Sequence, residues 1–144
     1  MYAKDTGDVV LAHTGRNQIM DAEYPAARMS ILAACISTLR ERKAKLELIH
    51  SLSVSQISAA FFAHKGHKDE SLVLQQATIW GNEIVPNATL VTLDLVQLIA
   101  TQLVYYGVPK HNITSVRINP YTSPDLFSKR AGKFGSNVLM LARP

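Results

Sequence analysis

The chain has 144 residues, 47% of them hydrophobic, which is enough for one core in a single compact domain. Fifteen Lys and Arg against eleven Asp and Glu give +4, a mild excess that suits a small anionic ligand. With one tryptophan and no basic stripe interleaved with aromatics, nucleic-acid binding is not expected.

No run of about eighteen apolar residues occurs, so no membrane partner is expected. MYAKDTGDVV is interrupted by Lys4, Asp5 and Asp8 where a signal peptide needs an apolar stretch. A soluble, intracellular protein of the cytoplasm is therefore expected. Its single cysteine, Cys35, excludes an internal disulfide and a Cys-rich zinc module.

The turn signal Asp5-Thr6-Gly7 leads into DVVLAH, residues 8 to 13, which reads as a strand. From Tyr24 to Lys43 the spacing of Leu32, Cys35, Ile36 and Leu39 predicts an amphipathic helix, with Pro25 tolerated near its start and basic residues at its carbonyl end. Cys35 lies on the apolar stripe, so it reads as a core residue rather than a nucleophile.

KLELIHSLSV and SAAFFA read as two strands separated by Ser55-Gln56, with His50 placed on the face opposite Leu48 and Leu52. Residues 70 to 91 are expected to be part strand and part irregular. Thr92 is the expected N-cap of a helix whose Leu95, Val96, Ile99, Leu103 and Tyr106 share a face until Gly107 and Pro109 end it. ITSVRIN then reads as a strand, NPYTSPDLFSKRAGKFG as a long polar loop, and SNVLMLA as a closing buried strand. The fold class is α/β (α+β): one mixed sheet covered by helices, spanning residues 1 to 144.

Two places carry chemistry-bearing residues. His13 ends the first predicted strand before a turn at Gly15, with Arg16 beside it, and strand ends of this kind are where α/β proteins place ligands. The long loop holds Lys129, Arg130 and Lys133 among Ser128, Gly132 and Gly135, a composition suited to a phosphate. Its AGKFG lacks the glycine spacing and the hydroxyl of a nucleotide-binding P-loop, so a solvated basic turn is the plainer reading. His64 and His67 form a His-x-x-His pair able to grip a metal, although the adjacent lysines favour an exposed polar turn.

DTGDVVLAHTGRN resembles the segment of the YfiH-type laccase-domain family that runs from an Asp-x-x-x-Gly turn through an apolar strand into His-Ala-Gly-Trp-Arg. Residues 93 to 142 are similar to the family's Leu-Asp-Leu helix, Gly-Val-Pro break, Asn-Ile strand, Ser-Tyr-Arg-Arg loop and closing Thr-Gly-Arg strand. Residues 45 to 90 follow the family only loosely. Members are known as polyphenol oxidases and are better understood as purine nucleoside phosphorylases with adenosine deaminase activity, built around a metal centre of two histidines and one cysteine.

The resemblance implies that His13 is the last of three metal ligands, with Arg16 beside it as the second catalytic residue, and that Lys129, Arg130 and Lys133 face substrate or phosphate. It also implies a domain corresponding to the family's C-terminal part. The other two ligands lie, in the family, in Val-His-Gly and Ala-Asp-Cys segments that precede the portion matched here. Thr14-Gly15-Arg16 lacks the motif tryptophan, Asn119 or Pro120 falls where the family often has cysteine, and Ser136 replaces the closing arginine.

One histidine is too few for a catalytic metal site, which normally takes three protein ligands. Three readings stay open. A symmetric homo-oligomer or a partner chain supplies the missing ligands; His64 and His67 rebuild a site with His13; or the domain binds a purine nucleoside, a phosphate or a protein without turnover. Zinc or copper is expected in the first two, and no cofactor where the site is degenerate.

Overall fold

A computed structural model describes residues 1–12, 30–55, 60–62, 66, 70–86, 91–117, 122–127 and 132–136. Their elements, in chain order, are β1 (Tyr2–Ala3), α1 (Ile31–Glu41), β2 (Ile49–Ser55), β3 (Ala60–Phe62), α2 (Glu70–Trp80), β4 (Thr92–Asp94), α3 (Leu95–Tyr105) and β5 (Ile113–Arg117). Strand β2 lies between β1 and β5, antiparallel to the first and parallel to the second, while β3 and β4 form an antiparallel pair. This is the mixed α+β arrangement expected.

The turn at Asp5-Thr6-Gly7 is present, with Gly7 at φ 72°. The strand expected over residues 8 to 13 is shorter: Val9 bridges Tyr2, Ala3 N–H donates to Asp8, and Val10 exchanges bonds with Met1. Pairing ends where Met1 takes Val10, and Leu11 is exposed. Two side chains tie this turn to the end of α1, Arg42 to Asp8 at 3.2 Å and Asp5 to the Lys45 amide at 2.9 Å.

Helix α1 begins at Ile31 rather than Tyr24, because Ser30 caps it: its Oγ accepts from the Ala33 amide at 3.2 Å. Residues 24–29 lie outside the described residues. The predicted stripe of Leu32, Cys35, Ile36 and Leu39 is the buried one. Lys43, at φ 67°, takes the left-handed turn that ends the helix, and the Ala44 amide returns to the Leu39 carbonyl.

Strand β2 starts at Ile49, since Leu46–Leu48 form a single tight helical turn. His50 and Leu52 are both exposed on β2, as a spacing of two along a strand requires, which corrects the expected opposition of their faces. The larger correction is α2, where strand and irregular structure were expected. Val73, Ala77 and Trp80 supply a helical stripe, but its fourth member is Gln76, and an apolar count over this segment misses the period.

Thr92 belongs to β4, and the cap of α3 is Asp94, whose Oδ1 accepts from Gln97 N–H at 2.9 Å. Gly107, at φ 93°, ends α3 as expected, and the Val108 amide returns to Leu103. The closing strand expected over residues 136 to 142 lies beyond the described residues, apart from Ser136.

Helix α3 is shared by two cores. Leu95 and Leu98 pack with Val73, Ala77, Trp80, Ile84, Val91 and Leu93; Leu103 packs with Ala3, Leu32, Ile36, Leu39, Ile49 and Val108. Burying such a Leu or Ile side chain contributes roughly 1.5–3 kcal/mol, so α3 fixes both units against each other.

Candidate functional site

Strands β2 and β5 run parallel, and their last described pair sets Ser55 opposite Arg117. In sheets of this kind, ligands favour the carboxyl ends of the strands. Arg117 reaches the capping residue of α3, its Nη1 lying 2.5 Å from Asp94 Oδ2. Asp94 therefore uses one carboxylate oxygen on its helix and the other on the guanidinium. The Arg117 side chain is 50% exposed and that of Asp94 15%, so the carboxylate is the inner, fixed partner.

Beyond β5 in sequence lies the segment read as a long polar loop, described over residues 122–127 and 132–136. Its described parts are braced from inside: Lys133, half-buried, donates through Nζ to the Ser123 carbonyl and lies 3.5 Å from that of Leu126. The Asp125 amide donates to Ser123 Oγ at 3.3 Å. Phe127 lies against Gly135, where a Cβ would meet the ring at 2.5 Å, so only glycine fits. The ammonium of Lys133 is thus engaged in holding its own loop.

His13, Arg16, His64, His67, Lys129 and Arg130 lie outside the described residues. Of the residues singled out from sequence as ligand-binding, only Lys133 is described. Arg117 and Asp94 were not singled out at all. The available signal was a charge at the end of an apolar strand, directly before the loop; nothing local linked it to a residue 23 positions earlier.

Cys35 sits in the core, 6% exposed, and burial pushes its thiol above the ordinary value, with the nearby N-terminal amine as a smaller opposing influence. Ligation requires the thiolate. His50 and His111 are exposed on separate elements, and no group of three His, Cys, Asp or Glu suited to a metal occurs among the described residues.

A family model described as multi-copper polyphenol oxidoreductase laccase matches residues 1–143. The chain belongs to that family. No curated protein and no solved structure matches it. The family description implies copper, which favours clustered imidazole and thiolate donors. The described donors of this laccase-family chain do not fit such a centre, since its one cysteine is buried in the core and His50 and His111 lie exposed on separate elements. No described helix is long and apolar enough to cross a membrane.

Proposed function

We propose that this laccase-family domain acts on a purine nucleoside and phosphate, in the manner of metal-dependent purine nucleoside phosphorylases, as part of an assembly that completes its donor set. In that reaction a phosphate oxygen bonds to the anomeric carbon as the glycosidic bond breaks, and the purine leaves with the electron pair and takes up a proton. Arg16, Lys129 and Arg130 supply positive charge to orient the phosphate, a role worth most where water is excluded. His13 stands at the position of a family metal ligand. The remaining donors come from a second copy or from another polypeptide.

The reading of the activity rests on family membership, and the need for donors from outside this chain rests on the burial of Cys35. That burial removes the chain's one cysteine from a centre built on two histidines and a cysteine, while family membership extends over residues 1–143. A lone reduced thiol also suits the cytoplasm.

The test is release of hypoxanthine from inosine with phosphate, and of inosine from adenosine, run on purified chain with its metal content and oligomeric state measured together. Turnover that is lost in His13→Ala, along with bound zinc or copper, supports the reading. Absence of turnover in every oligomeric form overturns it. A second reading, a non-catalytic nucleoside- or phosphate-binding subunit, is favoured by the engagement of Lys133 with its own loop. It predicts stabilisation against heat by nucleoside or phosphate, without turnover and sensitive to Arg130→Ala.

A further inference from the structure

We propose that Arg117 is a phosphate-anchoring residue. Its guanidinium, held by Asp94, presents its remaining N–H groups to a phosphate oxyanion at the carboxyl end of the β2–β5 pair. That the anion is phosphate rests on the phosphorylase reading above; the anchor itself rests on geometry.

Four observations converge on this end of the fold. The described pairing of the two parallel strands runs in the carboxyl direction to Ser55 and Arg117, and sheets with parallel strands hold ligands on their carboxyl side. Asp94 is occupied on both oxygens, by the Gln97 amide and by Arg117, so its orientation is set by the start of α3. A guanidinium carries more donors than one carboxylate oxygen can use, and that of Arg117 is half exposed. Finally, the sequence that follows β5 carries Lys129 and Arg130, while its third cation, Lys133, is committed to backbone carbonyls.

Arginine suits this role because it stays protonated and its planar fork matches two phosphate oxygens, whereas lysine offers a single point of charge. Holding the fork by a largely buried carboxylate leaves less rotamer freedom to be lost when the anion arrives. The competing explanation is that the ion pair only staples β5 to α3. A staple predicts that substitution changes stability and leaves phosphate binding alone; an anchor predicts weaker phosphate binding in a variant that folds normally.

Thermal unfolding of the full chain, titrated with inorganic phosphate against chloride at matched ionic strength, separates the two. The wild-type midpoint is expected to rise with phosphate. Arg117→Gln should weaken the apparent phosphate affinity about tenfold, and Arg117→Lys should weaken it less while matching the wild-type midpoint without phosphate. If Arg117→Gln does not fold, the weaker response of Arg117→Lys carries the test.

The proposal is overturned if the wild type shows no phosphate-specific rise, or if the folded variants respond to phosphate as the wild type does. Arg117-dependent phosphate binding without hypoxanthine release would leave the anchor standing and remove the phosphorylase reading. Hypoxanthine release with an unchanged phosphate KM in Arg117→Gln would do the reverse.

Discussion

The carboxylate of Asp94 closes helix α3 at the Gln97 amide, 2.9 Å away, and holds Arg117 at 2.5 Å with its other oxygen. One side chain thus ties the start of a central helix to the end of a strand in the other sheet. Asp94→Ala removes both contacts and is expected to lower stability by about 1–2 kcal/mol. Asp94→Asn keeps an acceptor for the cap and should lose less. Urea midpoints of the two variants check the order; equal losses would mean the cap contributes little.

Ser30 plays a comparable double part, capping α1 and sharing a hydrogen bond of 3.0 Å with the Tyr106 hydroxyl just past the end of α3. Ser30 is buried, so Ser30→Ala removes the side-chain acceptor of the Ala33 amide at the start of α1 together with the bond to the tyrosine hydroxyl. A loss of about 1–2 kcal/mol is expected. Tyr106→Phe should lose less, and the double variant less than the sum, because the two residues share one bond.

Gln76 is wholly buried on α2, and neither atom of its amide has a hydrogen-bond partner among the described residues. Desolvating such a group without a bond opposes folding by about 1–3 kcal/mol. Gln76→Met keeps a similar shape and discards the amide, so the chemical-denaturation midpoint should rise. A fall of similar size would show that the amide is bonded in solution.

Burial lowers the pKa of the Met1 amine and raises that of the Cys35 thiol. The depressed amine contributes stability that is present above its ordinary value of about 8 and is lost as pH falls below it, because the unfolded chain then binds the proton more readily. The raised thiol contributes stability that is present below its ordinary value of about 8.5 and is lost as pH rises through the folded value. Stability carried by these two groups should therefore peak near pH 8. Denaturation midpoints across pH 6.5 to 10 check this, at roughly half-unit steps. Cys35→Ala should flatten the alkaline fall and leave the acidic slope in place.

Local physics made several features legible in the sequence. The stripe of Leu32, Cys35, Ile36 and Leu39 defined the buried face of α1, Asp5-Thr6-Gly7 marked its turn, and Gly107 with Pro109 stopped α3, since each depends only on neighbours within one or two turns of chain. The motif residues around His13 and the basic loop likewise pointed to the laccase family, whose model spans residues 1–143. Tertiary structure decided the rest. Gln76 hid the period of α2 because a polar residue occupies a core position that only its packed surroundings define. Thr92 offers a hydroxyl fit for a cap, yet pairing with Phe62 makes it a strand residue and passes the cap to Asp94. Arg117 became a site residue only when β5 lay parallel to β2 and brought it to Asp94, for such pairing is set by contacts between distant segments that no local period encodes.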